Sequence, residues 1–404
     1  MTDYDLLIVG AGIAGLSMAH YAAAAGLKAR VLERESQAGG CLHSHRFTGE
    51  QDGFWLELGA HSSFNSYGNL LAILERIGLF QQLQRRAKVS FRLFAEDAAH
   101  SIASQLHVSE LLLAPFRSLR TPKAGRSVAD YFGHIVGPRN YRAVFEPTFN
   151  AVICQPSGDF PADALFRSRP RRKDAPRGFT VPGGLQTIAD YLSQQPGIAV
   201  TLGQPVRAIR RDGAVFIVHT DSGDYRARAV SLATPVAVAA ELLQAEFSGI
   251  AAALAQIETA TVESVGVAIP AALLRLPPVA GLIGRDQAFY SAVSRDTVPH
   301  PLWRGFTFHF RPGAVDDEAK LARISQVLGV PRPVLGAANT VFRINQLPAL
   351  RVGHGDRIRA VDQALAGTGL ALSGNYFTGV AIEDCVSRSL SEFERLQQEC
   401  GWKQ

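Results

Sequence analysis

The sequence predicts an α/β protein built around a strand–turn–helix–strand unit near its N-terminus. Residues 5–9 form an apolar run typical of a buried parallel strand, and residues 10–15 follow directly with the spacing G-x-G-x-x-G. A helix-like run at 16–25 comes next, and a second strand at 29–32 ends in Glu33. This order places a glycine-rich turn at the edge of a parallel sheet, which is the arrangement of a Rossmann-type fold.

Each glycine of the turn has a separate role in binding a dinucleotide. Gly10 permits the tight turn, Gly12 lets the backbone approach a pyrophosphate, and Gly15 lets the helix pack closely on the strand. The helix N-terminus offers free N–H groups and partial positive charge to the phosphates. Glu33 stands where a nucleotide ribose would lie. A glycine turn alone is a weak signal, but here strand, helix and acid all agree.

Two further segments indicate which dinucleotide is bound. Residues 39–44 are Gly-Gly-Cys-Leu-His-Ser, and residues 57–62 are Glu-Leu-Gly-Ala-His-Ser. At these residues the chain resembles the flavin amine oxidase and protoporphyrinogen oxidase superfamily, and is most similar to the protoporphyrinogen (coproporphyrinogen) oxidases. The resemblance implies that the cofactor is FAD, with residues 59–60 beside the isoalloxazine ring. Cys41 departs from the arginine usual there, but the porphyrinogen oxidases vary at this position.

The last sixty residues are expected to return to the cofactor. Residues 369–376 predict a strand with a glycine exit, and residues 379–381 open an amphipathic helix. The run Gly-Asn-Tyr-Phe-x-Gly-Val-Ala-Ile-x-Asp-Cys at 374–385 is similar to the C-terminal signature of the porphyrinogen oxidases. The resemblance implies that this second helix N-terminus faces the N1–C2=O edge of the flavin, where it stabilises negative charge.

The resemblance also implies a set of cofactor-binding residues, including a valine whose backbone contacts the adenine end of FAD. Carried over by position, the set is Gly10, Gly12, Ile13, Ala14, Gly15, Glu33, Arg34, Gly40, Cys41, Gly59, Ala60, His61, Ser62, Val206, Gly374, Asn375, Gly379, Val380, Ala381 and Ile382.

The chain is expected to divide into three parts. Residues 1–83, 196–235 and 346–404 would form the FAD-binding domain, residues 84–178 a helical basic subdomain, and residues 179–195 and 236–345 a mixed-sheet substrate-binding domain. The last part contains six aromatic residues that we expect in its core, although a flat substrate would also need aromatic walls. They are Phe289, Tyr290, Trp303, Phe306, Phe308 and Phe310.

Residues 84–178 differ from the rest of the chain in charge, with sixteen Lys and Arg against eight Asp and Glu. Residues 111–116, 128–136 and 141–153 predict short helices, and residues 167–177, with six basic side chains, predict an exposed loop. The surplus has two interpretations: a solvated face, or a patch that meets anionic lipid or a polycarboxylate substrate. In the porphyrinogen oxidases the corresponding region contacts the membrane, so the resemblance favours the second.

Composition excludes several classes of protein. The net charge of +5 over 404 residues is too small to indicate nucleic-acid binding. The four cysteines have no C-x-x-C spacing, so neither a metal site nor a disulfide framework is expected, and a reducing compartment is favoured. The apolar stretch 6–27 carries glycines in nucleotide-binding register, which argues against a membrane span or signal peptide. We expect a cytoplasmic protein with peripheral contact at the inner face of the membrane.

The resemblance implies a FAD-dependent oxidase or dehydrogenase that oxidises a porphyrinogen to a porphyrin by hydride transfer to flavin N5. The substrate would be flat, apolar and anionic, and oxygen or a quinone would accept the electrons. Arg92 lies near a position where some members bind substrate carboxylate, although a surface arginine is the simpler interpretation. No catalytic side chain is identifiable. The alternatives are an amine oxidase, a desaturase or dehydrogenase of another apolar substrate, and a flavin carrier without turnover. The oligomeric state stays open.

Overall fold

The computed structural model describes residues 2–402 as a mixed α/β protein with two seven-stranded sheets. The strands of this part of the chain are β1 Tyr4–Val9, β2 Ala29–Leu32, β3 Ser44–Arg46, β4 Trp55–Glu57, β5 Ser63–Phe64, β6 Gln84–Arg85, β7 Phe91–Ala95, β8 Ala98–Ser101, β9 Gly178–Thr180, β10 Ala199–Thr201, β11 Val206–Asp212, β12 Val215–Thr220, β13 Gly223–Leu232, β14 Glu258–Pro270, β15 Gly281–Gly284, β16 Phe289–Ser294, β17 Trp303–Phe310, β18 Thr340–Ala349 and β19 Leu370–Leu372.

The α-helices of the same residues are α1 Ile13–Ala24, α2 Gly68–Arg76, α3 Val108–Leu111, α4 Ala114–Arg120, α5 Val128–Val136, α6 Pro138–Asn140, α7 Glu146–Ile153, α8 Gln186–Ser193, α9 Val236–Leu243, α10 Ser248–Ala255, α11 Asp317–Leu328, α12 His354–Leu365 and α13 Ile382–Glu399.

The first sheet has the order β10-β2-β1-β13-β12-β11, with β19 also paired to β13. Strands β10, β2, β1, β13 and β19 are parallel, and β12 and β11 extend the sheet by antiparallel pairing. Because strand side chains alternate, Leu6 and Ile8 pack with α1 and α13 on one face, while Leu7 and Val9 pack with α9, α10 and α12 on the other. Both faces are covered, which explains the continuous apolar run of β1.

The second sheet has the order β18-β14-β17-β16-β15-β7-β8. Helix α11 covers one face, where Phe289, Phe306, Phe308 and Phe310 lie fully buried. Tyr290 and Trp303 are buried as well, so the structure confirms that the aromatic residues belong mainly to the core.

The division of the chain into domains stays a prediction, but several segments lie elsewhere than expected. Residues 91–101, assigned to the helical subdomain, form β7 and β8 of the second sheet, because β7 pairs in parallel with the distant β15. Helix α8 and helices α9 and α10, assigned to the substrate domain, pack on the first sheet instead. Residues 223–232 form the single strand β13, which pairs with β1, β12 and β19.

The helical region between residues 108 and 153 packs around its own apolar cluster. Its last part is a continuous rod whose middle, Tyr141–Phe145, is π-helical. Pro147 has no N–H to donate to Ala143 O, and that carbonyl accepts a hydrogen bond from Arg285 Nη1 at 3.4 Å. The rod is thereby attached to the turn that follows β15.

Candidate active site

Two glycine-rich turns meet at the carboxyl ends of β1 and β2. Gly39 forms a parallel bridge with Gly12, and its N–H donates to Ala11 O at 2.8 Å. A Cβ atom at Gly15 would lie 1.9 Å from Gly10 O, and Gly10 itself has a φ of +101°. A side chain at Gly10 or Gly15 would therefore collide with neighbouring backbone, and glycine at these positions keeps the turn close to the helix with its backbone accessible.

The second turn continues the same surface. Gly40 has a φ of +57°, and a Cβ atom built on it would lie 3.1 Å from Gly12 Cα. Cys41, which follows, is exposed. Both turns therefore expose backbone, as an extended phosphate group requires.

Helix α1 begins at Ile13, and its N-cap residue Gly12 has no capping side chain among the described residues. The N–H groups of the first turn, including that of Ala14, are therefore available to bind a ligand. Glu33 lies beside this turn: its carboxylate accepts hydrogen bonds from Ala11 N–H at 2.6 Å and Glu35 N–H at 3.0 Å. The acid is held by backbone donors at the end of β2, where a ribose would be recognised.

Two other predicted residues of the adenine end lie nearby. Gln204 N–H donates to Glu33 O at 2.7 Å, which brings Val206, the first residue of β11, close to this end of the sheet. Arg34 is exposed and pairs with Glu35 at 3.1 Å. Their contact with a cofactor stays a prediction.

Helix α13 lies alongside α1 and runs in the same direction. Ser389 Oγ donates to Ala14 O at 2.8 Å, and nearer the C-terminal ends of both helices the ring centroids of Tyr21 and Phe393 lie 6.1 Å apart. Because both pairs advance together along the two helices, the N-termini of α1 and α13 face the same side of the molecule.

The segment that leads into α13 contains the remaining predicted residues: Gly374, Asn375, Gly379, Val380, Ala381 and Ile382. Buried His354 bridges the carbonyls of Tyr376 and Phe377 at 2.8 and 3.0 Å, which fixes the bend after β19. Ala381 N–H donates to Asp384 Oδ2 at 3.2 Å, and a Cβ atom on Gly379 would lie 2.6 Å from the same oxygen. The chain is therefore tightly folded at the start of α13.

The basic segment 167–177 is the exposed loop that the sequence predicted, and three of its arginines are paired. Arg169 forms an ion pair with Asp384 at 2.5 Å, and Arg167 donates to Thr378 O at 3.3 Å. Arg172 pairs with Glu75. These contacts neutralise part of the positive charge. Arg167 and Arg169 attach the segment to the start of α13, and Arg172 attaches it to α2.

Residues 59–62 form a wall against the second glycine turn. Leu58 N–H donates to His43 O and Ala60 N–H donates to Cys41 O, both at 2.8 Å. A Cβ atom on Gly59 would lie 2.2 Å from Cys41 O, so glycine is needed at this crossing. His61 and Ser62 therefore project from backbone held directly against the turn.

His61 is paired with a histidine that the sequence analysis did not identify. Its Nε2 lies 2.7 Å from Nε2 of His309 on β17. Burial lowers the pKa of His309 to about 4 and lowers that of His61 well below its usual value, with His309 and Arg86 adding to the second effect. Both rings are therefore neutral at physiological pH.

A small polar cavity of about 30 Å³ lies between β4 and the second sheet, and His61 is one of its walls. Arg86 donates to Ser62 Oγ and to Thr297 Oγ1 there. Arg295 stacks over Trp55 at 4.6 Å, and burial lowers its pKa to about 10. The sequence showed two arginines in unremarkable contexts, and only strand pairing brings them to this cavity.

Glu57, fully desolvated at the same cavity, accepts hydrogen bonds from Ser44 Oγ at 2.7 Å and Leu185 N–H at 2.8 Å. Burial raises the pKa of this carboxyl to about 7. Ser44 Oγ also accepts from Gln186 N–H at 3.0 Å, so the pair holds the start of α8 against β4.

Arg92 lies apart from this cluster. It is exposed on β7, and strands β15 and β16 separate it from β17, which carries His309. At the spacing of neighbouring strands this is a separation of roughly 14 Å. A carboxylate-binding role for Arg92 stays a prediction.

The residues fit a dinucleotide cofactor. Glycines leave room for backbone approach, α1 offers an uncapped first turn, and Glu33 lies at the end of β2, where a ribose would be recognised. A second helix N-terminus lies on the same side. Fold and site together define the class of FAD-dependent oxidoreductases, in which FAD is held by both ends of the chain.

A sequence model of the family described as flavin containing amine oxidoreductase matches residues 13–392. The chain belongs to this family, whose members contain a flavin.

Individual relatives align over smaller parts of the chain. The flavin-dependent L-tryptophan oxidase RebO of Lentzea aerocolonigenes is 24% identical over 54% of this chain and 55% of its own length. The coproporphyrinogen III oxidase of Propionibacterium freudenreichii subsp. freudenreichii is 30% identical over 52% of this chain and 42% of its own. The chain thus spans about half the length of these relatives.

Among solved structures, a proposed protoporphyrinogen oxidase of Exiguobacterium sp. 255-15 superposes with a TM-score of 0.80 at 21% identity. The superposition covers 99% of this chain and 100% of the other. It confirms the fold: a Rossmann-type nucleotide-binding sheet joined to a second, mixed sheet.

Proposed function

We propose that the protein oxidises a porphyrinogen to the corresponding porphyrin. The observation that carries the proposal is the 30% identity to a coproporphyrinogen III oxidase over about half of the chain. The C-terminal run at 374–385, which resembles the porphyrinogen oxidases, supports it independently.

When bound, FAD supplies a hydride acceptor at N5. The chain's own residues hold the cofactor: the glycine turns and the α1 N-terminus bind the pyrophosphate, and Glu33 binds the ribose. The N-terminus of α13 lies at the ring, where its N–H groups stabilise negative charge. Residues 59–62 form the wall beside the ring. Oxygen or a quinone reoxidises the protein.

The test is anaerobic mixing of the FAD-loaded protein with reduced porphyrinogens and, separately, with amines and L-tryptophan. We expect the flavin absorbance to bleach with a porphyrinogen and to stay unchanged with the others. Bleaching by tryptophan or an amine alone would assign the protein to another branch of the family.

The helices α3 and α4 carry the features of a peripheral membrane contact. The exposed apolar side chains of these helices and their connection include Leu112, Phe116 and Leu119, which are 70%, 65% and 87% exposed. The exposed cations Arg120 and Arg126 lie at the end of the same segment. An apolar surface rimmed by cations suits anionic lipid, and contact there would admit an apolar substrate. Within residues 2–402, no helix is both long and apolar enough to cross a membrane.

Vesicle flotation tests this contact. Wild-type protein should float with vesicles that contain phosphatidylglycerol and not with pure phosphatidylcholine. Leu119→Asp should abolish flotation, whereas Leu302→Asp, at a site 67% exposed outside this segment, should not. Equal flotation of both variants would show that α3 and α4 do not bind lipid.

A further inference from the structure

A directed series of hydrogen bonds leads from the backbone to His61. Arg343 Nε donates to Asn345 Oδ1 at 3.3 Å, which fixes the orientation of the Asn345 amide. Asn345 Nδ2 then donates one hydrogen to Leu58 O at 2.8 Å and the other to Ser264 Oγ at 3.1 Å. Both amide hydrogens are used, so Ser264 Oγ is an acceptor at this contact.

The donor order continues through Ser264 to the two histidines. The other partner of Ser264 Oγ is His309 Nδ1 at 3.0 Å. Because the described residues offer the hydroxyl hydrogen no other acceptor, the serine donates it to that nitrogen. Neutral His309 then carries its hydrogen on Nε2 and donates it to His61 Nε2. It follows that neutral His61 carries its own hydrogen on Nδ1.

This arrangement sets the tautomers and does not conduct protons. A proton taken up by His61 would have to pass through His309 to Ser264, but Asn345 Nδ2 can only donate. If Ser264 accepted a proton from His309, its own hydroxyl hydrogen would need another acceptor, and residues 2–402 provide none. Burial keeps both rings neutral, so the N–H of His61 persists as a donor.

His61, the last residue of the series, lies beside the second glycine turn. His61 Nδ1 has no hydrogen-bond partner in the described part of the chain, and His61 follows Ala60, whose N–H is bonded to Cys41 O. Arg343 also donates to Gly40 O at 3.1 Å, so the series is attached to the second glycine turn. His61 thus arises from backbone held against the second glycine turn, where the proposed function places the flavin.

We propose that His61 Nδ1–H donates a hydrogen bond to the isoalloxazine ring of bound FAD, with His309, Ser264 and Asn345 as positioning residues that impose the donor tautomer. The inference rests on the proposed FAD site. A fixed donor at the ring stabilises the negative charge gained on reduction, and thereby raises the midpoint potential of the cofactor. A neutral donor does so without introducing a buried charge.

The test measures the midpoint potential of the FAD-loaded protein without substrate. Ser264→Ala leaves His309 Nδ1 without a donor, so His309 can change tautomer and His61 can present a lone pair instead. We expect reduction to become about tenfold less favourable, which for a two-electron couple is a fall of about 30 mV. The control is Ser291→Ala: Ser291 faces His309 from β16, is buried, and has no partner for its hydroxyl within residues 2–402, so the potential should stay unchanged.

A second variant separates the donor from its support. His61→Phe should lower the potential at least as much, and adding Ser264→Ala to it should have no further effect, because the serine acts through His61. Wild-type potential in both FAD-loaded single variants would overturn the inference, as would an equal shift in Ser291→Ala. Failure of the wild-type protein to bind FAD would refute the proposed function instead.

Discussion

Gly15 is the residue at which the close approach of turn and helix is most demanding. A methyl group there would lie 1.9 Å from Gly10 O, so Gly15→Ala must displace the turn from the helix. We expect a loss of about 1–3 kcal/mol in the free energy of unfolding and a loss of FAD retention on gel filtration.

The matched control is Gly249→Ala in α10, where no described atom lies within 4 Å of the added methyl group. Alanine is the better helix former, so this variant should gain about 0.5–1 kcal/mol and retain FAD. Retention of FAD by both variants would show that the cradle tolerates a side chain.

Glu57 makes stability depend on pH. Burial raises its pKa to about 7 from a usual value of 4.5, so the folded protein keeps a proton that the unfolded chain releases. The stabilising contribution is full below pH 4.5 and is lost as pH rises to about 7, a fall of about 3 kcal/mol. Glu57→Gln should remove this fall, because glutamine is neutral throughout.

Urea unfolding of both proteins at pH 5 and pH 8 measures the effect. Burial also lowers the pKa of His43 and His309 to about 4. These two rings therefore reduce the stability of the folded protein as pH drops below 6.5, whereas Glu57 reduces it as pH rises. Both proteins contain these histidines, so their contribution cancels in the difference between the unfolding free energies of variant and wild type. Parallel pH profiles would contradict the assignment to Glu57.

At the scale of elements, α13 supports α2 as well as the cofactor site. Buried Glu383 accepts hydrogen bonds from Asn69 N–H at 2.8 Å and Leu70 N–H at 3.1 Å, and thereby caps α2 from another helix. Glu383→Ala leaves these N–H groups unpaired and should cost about 1–3 kcal/mol in the free energy of unfolding.

Glu394→Ala on the exposed face of the same helix provides the control and should change stability by less than about 0.5 kcal/mol. Chemical denaturation of the two variants distinguishes them. Equal midpoints would show that the α2 N-terminus does not depend on α13.

At the scale of the whole molecule, the proposed cofactor site joins both ends of the chain. A ligand that binds only the folded state stabilises it by mass action, by about 2.7 kcal/mol at a hundred times its Kd. FAD should therefore raise Tm of the apoprotein more than FMN or riboflavin, since only FAD spans from the Glu33 end to α13. Differential scanning fluorimetry measures this. An equal rise with FMN would show that the adenylate half is not bound at Glu33.

Much of the nucleotide-binding half could be predicted from the sequence because its signals are local. The apolar run of β1, the glycines at 10, 12 and 15, and the glycine exit before α13 each act through backbone conformation within a few residues. The sequence also indicated the aromatic core of the second sheet, since alternation along a strand is a local pattern.

Long-range pairing decided what local patterns could not. Residues 91–101 became strands because β15 was available as a partner, and Asp384 and Glu75 neutralise part of the charge of the basic segment 167–177. His309 and Ser264 face each other only because β17 and β14 pair in register. The amino-acid sequence by itself thus determined a dinucleotide-binding protein with two glycine turns. Only the tertiary structure decided which side chains surround the site, because side-chain neighbours across strands depend on register, which short sequence windows do not contain.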